Sequence, residues 1–179
     1  MAELKLYAGD VPDRPEYDGL LGLHLGQKDD RHIHCDIRER HPFDDNSVDS
    51  YQSEDVFEHI EYDLLPGIIA DIYRILKPGG LFRLSVPDYD NPLMLARCNL
   101  QDGVIVLDRE VPDHKWFPTV GLIKELFIGL DFKFRISKIV QCYMWVGRID
   151  YSKGYVQRTL ENDERGAISI VIDCIKWNS

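Results

Sequence analysis

The sequence contains little cysteine, and its cysteines lie far apart. Four occur among 179 residues (Cys35, Cys98, Cys142 and Cys174), and no two of them form a Cys-x-x-Cys pair. A disulfide framework and a cysteine-rich metal module are therefore not indicated. Because Cys35, Cys142 and Cys174 stand in apolar, strand-like runs, we expect them to be small buried residues in a reducing compartment.

Positive charge is also scarce. The chain has 21 lysines and arginines against 31 aspartates and glutamates, which gives a formal net charge of −10. This excess of negative charge argues against a nucleic acid or an anionic membrane as partner, although a local basic patch remains compatible with it.

Long apolar runs, signal-peptide features, internal repeats and low-complexity segments are all missing from the sequence. We therefore expect a cytoplasmic protein without a membrane span. A length of 179 residues suits one domain with a single core, which we assign to 1–179. The sequence leaves the oligomeric state open.

The centre of the chain predicts a strand–helix–strand unit. Between residues 60 and 77, apolar side chains recur at steps of three and four and share one helical face: Leu65, Ile68, Ile69, Ile72 and Leu76. Strands with alternating or apolar patterns are predicted before this helix at 48–52 and after it at 81–86. Pro78 and two glycines provide a tight turn between helix and second strand. Such a unit is expected to be parallel and right-handed.

Further strands are predicted on both sides of this unit, at 4–8, 20–25, 32–37, 132–140 and 167–175. The link between the first two is barely long enough for a parallel crossover, so we expect little or no helix in it. Thr119 is predicted to cap a helix that carries Leu122, Ile123, Leu126 and Phe127 on one face.

Four segments of the central unit resemble class I S-adenosylmethionine-dependent methyltransferases. They read FDDNSVD at 43–49, SEDVFEHI at 53–60, IYRILKPGG at 72–80 and SVPD at 85–88, in the order and spacing of that family. The nearest group is that of the small predicted methyltransferases with a compressed N-terminal half. The resemblance implies an α/β fold: a three-layer Rossmann-like sheet, mostly parallel with an antiparallel terminal strand, and reduced helices in the N-terminal half.

The resemblance also implies S-adenosylmethionine as cofactor and places its site at the ends of the early strands. Gly9 and Asp10 stand where the family has a glycine-rich turn, of which only one glycine remains. Because a Cβ at such a position can obstruct the cofactor, Asp10 is the largest departure from the family pattern. His24 stands where the family has an acid that binds the ribose, and a neutral imidazole could accept one such hydrogen bond.

Further cofactor contacts are implied after the third and fourth strands. Asp36 and Ile37 match an acid followed by a residue that meets the adenine edge. Glu54 and Asp55 follow the fourth strand at the carboxyl edge of the sheet, where ligands of open α/β sheets bind. Their alternative role is to cap the turn or helix that follows.

Candidate catalytic residues are His114, His59 and Asp88, in that order of preference as a base. A base is needed only when the accepting atom must lose a proton, so the family has no universal catalytic residue. We expect 88–118 to be a substrate-side insertion or lid. Packing of the histidines without a catalytic role remains the alternative.

Three residues are predicted to bind the substrate: Trp116, Arg158 and Arg165. Aromatic and arginine side chains in the C-terminal third favour a small-molecule or sugar-containing substrate. Loop packing for Trp116 and a solvated charged loop for the two arginines are the alternatives.

Two other functions remain open from the sequence. One is a catalytically inactive, methyltransferase-like binding module, because the glycine-rich turn and the acid at His24 are missing. The other is an α/β domain that binds a metal through His32, His34 and Asp36, which would lie on one side of a strand. The methyltransferase interpretation itself requires no metal.

Overall fold

The protein is built around a seven-stranded sheet. The structure, a computed structural model, describes residues 3–26, 29–95, 98–101, 104–107, 113–128, 134–142, 144, 147–157, 159 and 168–177. The strands are β1 (Lys5–Ala8), β2 (Leu20–His24), β3 (His32–His34), β4 (Val48–Glu54), β5 (Leu76–Pro87), β6 (Cys98–Gln101), β7 (Val104–Leu107), β8 (Phe134–Gln141) and β9 (Ser169–Lys176). The α-helices are α1 (Leu65–Ile75), α2 (Pro92–Leu95) and α3 (Val120–Ile128).

The main sheet has the strand order β3-β2-β1-β4-β5-β9-β8, and β6 pairs with β7 in a separate two-stranded sheet. The first five strands in this order are parallel, whereas β9 runs antiparallel to both β5 and β8. This arrangement confirms the predicted fold class, a mostly parallel sheet that closes with an antiparallel strand. It also confirms the predicted pairing of the last two strands.

The core lies between one face of the sheet and helices α1 and α3. Tyr51 and Phe82 project from β4 and β5 and are completely buried against Ile72 of α1 and Phe127 of α3. The cysteines that were predicted to be buried are indeed free and buried: Cys35, Cys142 and Cys174. Alternation along the strands sends the neighbouring residues to the opposite face.

The opposite face of the sheet is polar and is covered in part by short 3₁₀ turns. Gln52 and Arg83 alternate with Tyr51 and Phe82, and they bond to the backbone of Tyr155 and Gly154. Tyr17, in the 3₁₀ turn Pro15–Tyr17, is fully buried here. The crossover from β1 to β2 therefore contains one 3₁₀ turn and no α-helix, as the sequence predicts.

Helix α1 is shorter than the predicted helix over 60–77. Two 3₁₀ turns, Phe57–His59 and Tyr62–Leu64, precede it, and Pro66 stands at its start, where proline is favoured. The strand β5 begins at Leu76 and contains the predicted turn. Gly79 has φ +82°, and a Cβ at Gly80 would lie 2.8 Å from the carbonyl oxygen of Lys77. The two glycines therefore allow β5 to kink at this point.

None of the helices in the described ranges has both the length and the apolar character that crossing a bilayer requires.

Candidate cofactor and substrate site

A cavity of about 260 Å³ opens at the carboxyl edge of the parallel strands, between the ends of β1, β2, β3 and the segment after β4. Five of the predicted site residues line it: Gly9, His24, Asp36, Ile37 and His59. Residues separated by up to fifty positions in sequence therefore meet in one cavity, because parallel strands end at the same edge.

Gly9 shapes the cavity through its backbone. Its φ of +97° is a conformation that residues with a side chain rarely adopt. Its amide donates a hydrogen bond to the carbonyl oxygen of Leu23 at 2.9 Å, which joins the end of β1 to β2. A Cβ at this position would face Val56 on the cavity wall at 3.7 Å. The glycine therefore keeps the backbone accessible from the cavity.

Asp10 is directed away from this cavity. Its carboxylate lies 2.9 Å from Nε2 of the buried His32, whose Nδ1 lies 2.9 Å from Asp29. The amide of Val11 also donates to His32 Nε2, at 3.1 Å. His32 thus binds the segment after β1, and the predicted contact between Asp10 and a cofactor finds no support in this geometry.

His24 closes the β2 side of the cavity. The amide of Gly26 donates a hydrogen bond to His24 Nδ1 at 3.1 Å. In the neutral ring the proton is then on Nε2, so that nitrogen is a donor. The sequence suggested an acceptor for a ribose hydroxyl, whereas the structure favours a donor.

Asp36 is bound by the guanidinium of Arg38, which also lines the cavity. Arg38 donates to both carboxylate oxygens, with Nη2 at 2.7 Å from Oδ2 and Nε at 2.9 Å from Oδ1. These hydrogen bonds hold the pKa of Asp36 below its usual value, so the carboxylate stays ionised. Ile37 is buried beside it and supplies an apolar wall.

Glu54 is buried in the polar face of the sheet and does not line the cavity. It accepts hydrogen bonds from the Tyr17 hydroxyl at 2.8 Å, the Gln52 amide at 2.7 Å and the Gln157 backbone amide at 2.9 Å. Burial raises the pKa of Glu54 above its usual value, and the three donors only partly offset this. Glu54 therefore links the 3₁₀ turn after β1 to the segment around residue 157.

Asp55 occupies the turn that follows β4. Its φ is +53°, and its amide donates to the carbonyl oxygen of Ser85 at 3.1 Å. Aspartate tolerates the left-handed region better than most residues. The turn directs the chain from β4 to Val56, on the cavity wall.

Two of the candidate bases, His59 and His114, lie beside each other at the cavity. The rings of His59 and His114 meet edge to face, with centroids 4.8 Å apart. His114 Nδ1 is 2.6 Å from the Tyr89 hydroxyl, and His114 Nε2 is 4.0 Å from Glu58 Oε1. His59 is exposed, whereas Glu58 is buried. Glu58 and Tyr89 were not among the predicted site residues.

Asp88 is buried at the end of β5, directly before Tyr89. Its amide donates to the carbonyl oxygen of Ile168 at 2.7 Å, and its Oδ1 accepts from the Asp90 amide at 3.0 Å. Burial raises the pKa of Asp88 above its usual value. It does not line the cavity.

Of the three predicted substrate-binding residues, the structure describes only Trp116. Trp116 is buried in the core, where its indole nitrogen donates to the carbonyl oxygen of Phe57 at 2.8 Å. Arg158 and Arg165 lie outside the described residues. Within the described residues, His32, His34 and Asp36 do not come together as a group of possible metal ligands. His32 instead contacts Asp10 and Asp29, and Asp36 binds Arg38.

A larger groove of about 580 Å³ lies at the opposite, amino edge of the strands, lined by residues such as Lys5, Asp18 and Ser50. None of the predicted site residues lines it. Since ligands of open α/β sheets bind at the carboxyl edge, the smaller cavity is the stronger candidate site.

The cavity fits the adenosyl part of S-adenosylmethionine. Gly9 leaves backbone accessible, Ile37 and Leu25 provide apolar surface for a flat base, and His24 and Asp36 provide polar atoms at the rim. Its volume is close to the lower end of small-molecule sites, at roughly 300 Å³. The methionine part would extend toward Val56 and His59, which border the same cavity.

Comparison with known proteins gave a partial family match and a set of structural neighbours. Residues 22–84 match the family model of the methyltransferase domain, and no curated protein matches the chain. An S-adenosylmethionine-dependent methyltransferase from Mesorhizobium loti is similar in structure, with TM-score 0.58, 16% identity, and coverage of 97% of this chain and 90% of that one.

The chain has the class I methyltransferase fold. The matched part of the methyltransferase domain model, residues 22–84, covers the parallel strands from β2 to β5. The predicted fold class is thus confirmed, and the match over 22–84 agrees with the predicted S-adenosylmethionine-dependent methyltransferase.

Two further methyltransferase structures share this fold. One is the putative methyltransferase of Haloferax volcanii in complex with the activator Trm112 (TM-score 0.62, 16% identity, 99% of this chain and 83% of that one). The other is a 1,6-didemethyltoxoflavin-N1-methyltransferase of Burkholderia thailandensis with bound S-adenosylhomocysteine (TM-score 0.57, 13% identity, 98% and 72%). At such identities the likeness concerns the fold alone.

Proposed function

We propose that this protein transfers the methyl group of S-adenosylmethionine to a nucleophilic atom of a small molecule. The observation that carries this proposal is the convergence of Gly9, His24, Asp36, Ile37 and His59 on one cavity at the carboxyl edge of the sheet. The structurally similar Burkholderia enzyme was solved with bound 1,6-didemethyltoxoflavin, which supports a small-molecule substrate here.

The chain's residues would bind and orient the cofactor. Asp36 and Ile37 would hold the adenine, His24 the ribose, and Gly9 would let the methionine part approach the backbone. When bound, S-adenosylmethionine supplies a methyl group that is already activated by its positively charged sulfur. The protein mainly aligns the accepting atom and excludes water.

We assign the substrate to the side of the cavity bordered by His59. The candidate bases remain His114, His59 and Asp88, and of these only His59 lines the cavity. Residues 88–118 would cover this side as a lid, with Tyr89 and His114 already in contact at 2.6 Å. A sugar-containing substrate is the narrower form of the proposal, in which Arg158 and Arg165 would bind hydroxyl or anionic groups. Trp116 gives the least support to a sugar-containing substrate, because its ring is buried.

A second candidate function is a binding module that has lost catalysis. It is favoured by the position of two predicted cofactor residues, since Asp10 binds His32 and Glu54 accepts three internal hydrogen bonds. In this case the cavity would still bind a nucleoside, but no methyl group would be transferred.

Calorimetric titration with S-adenosylhomocysteine tests cofactor binding. We expect saturable binding that is weakened at least about tenfold in Asp36→Ala, because a charged hydrogen bond contributes about 1.5–3 kcal/mol. Asp18→Ala is the matched control: this exposed carboxylate lines the groove at the other edge and should leave binding unchanged. Absence of binding by the wild-type chain would contradict the proposal.

A turnover assay separates the two candidate functions. The protein is incubated with S-adenosylmethionine and a panel of small phenols, amines, thiols and glycosides, and S-adenosylhomocysteine is quantified. Substrate-dependent product supports the methyltransferase. Binding of the cofactor without product from any class would favour the binding module.

A further inference from the structure

Glu58, His59 and His114 form a cluster of potential metal ligands at the side of the cavity. One ligand atom from each residue lies within 4.8 Å of the others, and the structure contains no ion there. We propose that this cluster, the Glu58 cluster, binds a divalent transition-metal ion of the zinc type. The site is distinct from the metal hypothesis at His32, His34 and Asp36.

The backbone places these ligands firmly. Glu58 and His59 are consecutive residues of the 3₁₀ turn Phe57–His59, which begins shortly after β4. The loop that carries His114 is bound to this turn by two hydrogen bonds: the Lys115 amide donates to Glu58 O at 2.7 Å, and the Trp116 indole donates to Phe57 O at 2.8 Å. The buried indole thus holds the second histidine opposite the first.

In both histidines, Nδ1 already lies close to an oxygen atom of a neighbouring residue. His59 Nδ1 lies 3.3 Å from the Asp113 carbonyl oxygen, and His114 Nδ1 lies 2.6 Å from the Tyr89 hydroxyl. Metal-binding histidines typically use one ring nitrogen for such an oxygen and the other for the ion. We therefore assign Nε2 as the ligand atom in both rings. His114 Nε2 faces Glu58 Oε1 at 4.0 Å.

The ligand set favours zinc over magnesium. Two imidazoles and one carboxylate are borderline ligands that suit zinc, whereas magnesium prefers oxygen ligands. Ligand atoms bound at about 2.0–2.2 Å from one tetrahedral ion lie about 3.3–3.6 Å apart. Closing the cluster from 4.0–4.8 Å therefore requires small side-chain rotations. A cation would also neutralise the carboxylate of Glu58, whose side chain is only 1% exposed.

The ion would have a position open toward a ligand. Three protein ligands with one open position are the pattern of catalytic rather than structural zinc sites. Because His59 also lines the cavity, an oxygen or nitrogen atom of a bound small molecule could take this position. This last step rests on the proposed function, whereas binding of the ion does not. With the ion bound, His59 and His114 would be ligands and not bases, which leaves Asp88 of the three candidate bases.

Metal titration of the cofactor-free full-length protein tests the proposal. Zinc binding is measured by calorimetry, and cobalt binding by its visible absorption. We expect one saturable equivalent with the wild type and at least about a tenfold loss of affinity in His59→Ala. His34→Ala is the matched control, because His34 is also an exposed histidine and lies on β3, outside the cluster.

His59→Ala is preferred as the principal variant because the side chain is exposed and its loss should not disturb folding. Glu58→Gln is used in addition, with circular dichroism to verify that the buried substitution still folds. Equal zinc affinity in wild type, His59→Ala and His34→Ala would overturn the proposal, as would no binding by the wild type. A thiolate charge-transfer band with cobalt would also overturn it, since it would assign the metal to cysteine.

A titration with S-adenosylhomocysteine in the presence of a chelator measures cofactor binding without metal, so the proposed function and the metal site are tested separately. Cofactor binding without zinc binding would refute the metal site alone. Zinc binding without cofactor binding would refute the methyltransferase alone.

Discussion

The ring of His32 lies over Gly22, its partner in the neighbouring strand, and occupies the space that a side chain at Gly22 would need. From there the ring contacts Asp10 and Val11, which follow β1. One histidine thus connects three strands on the polar face, next to a crossover that contains only a 3₁₀ turn. In most parallel sheets a crossover helix covers such a face. Here the His32 side chain covers part of it instead.

Gly22→Ala is expected to destabilise the protein by about 1–3 kcal/mol, as overpacking in a closed site does. The added Cβ would overlap His32 and stand 2.9 Å from the carbonyl oxygen of Gly9. Urea unfolding measures the change. Gly67→Ala is the control: it lies on an exposed part of α1 with no atom within 4 Å of the added Cβ, and it should stabilise the helix slightly. Equal effects of the two substitutions would contradict the steric account.

Asp173→Asn should cost about 3–5 kcal/mol in free energy of unfolding, because it leaves a buried guanidinium without its counter-charge. Asp173 accepts two hydrogen bonds from Arg83, at 2.7 and 2.9 Å, and both side chains are nearly inaccessible. The exposed pair Lys5–Glu3 provides the control, and Glu3→Gln should cost less than about 1 kcal/mol. A loss below 1 kcal/mol for Asp173→Asn would show that the pair is not stabilising.

Glu54 should make the free energy of unfolding depend on pH. Since burial raises its pKa in the folded state, Glu54 binds its proton more tightly there than in the unfolded chain. Its contribution is therefore complete below the usual pKa of 4.5 and is lost as pH rises through the raised folded value. We expect the difference in unfolding free energy between wild type and Glu54→Gln to fall with rising pH, measured in urea from about pH 4 to about pH 8. A pH-independent difference would contradict this assignment.

His24→Asp is expected to tighten binding of S-adenosylhomocysteine, by about tenfold or more. The carboxylate could accept hydrogen bonds from both ribose hydroxyls, and each such bond to a charged group contributes about 1.5–3 kcal/mol. His24 lines the cavity, and its present hydrogen bond with the Gly26 amide can also be accepted by a carboxylate. His24→Asn, which lacks the charge, is the matched control in the same titration. No gain of Asp over Asn would place the ribose elsewhere.

Much of the fold was predictable because its signals are local. The helical period from Leu65 to Ile72 and the alternation in residues 81–86 belong to α1 and β5, although both boundaries shifted by several residues. The shifts arise from tertiary pairing: β5 extends back to Leu76 because this residue pairs with Val48 of β4. Propensity at Lys77 and Pro78 did not indicate that extension.

The candidate site was predictable only in part. Gly9, Asp36 and His59 could be assigned to one edge because strand order brings strand ends together. The directions of Asp10 and Glu54 were not predictable, since they depend on His32 and Tyr17, which come from other segments. The role of Glu58 was equally hidden, because His114 approaches it across 56 positions of sequence.

The sequence by itself determined the strand and helix order, the family resemblance and the edge of the sheet at which we expect a ligand, because periodicity and motif spacing are properties of the chain alone. Only the tertiary structure decided which carboxylates face the cavity and which are bound internally. A side chain's partner depends on the strand beside it and on the segment above it, as the pairing of Gly22 with His32 demonstrates. Tertiary packing likewise brought Glu58, His59 and His114 together as candidate metal ligands.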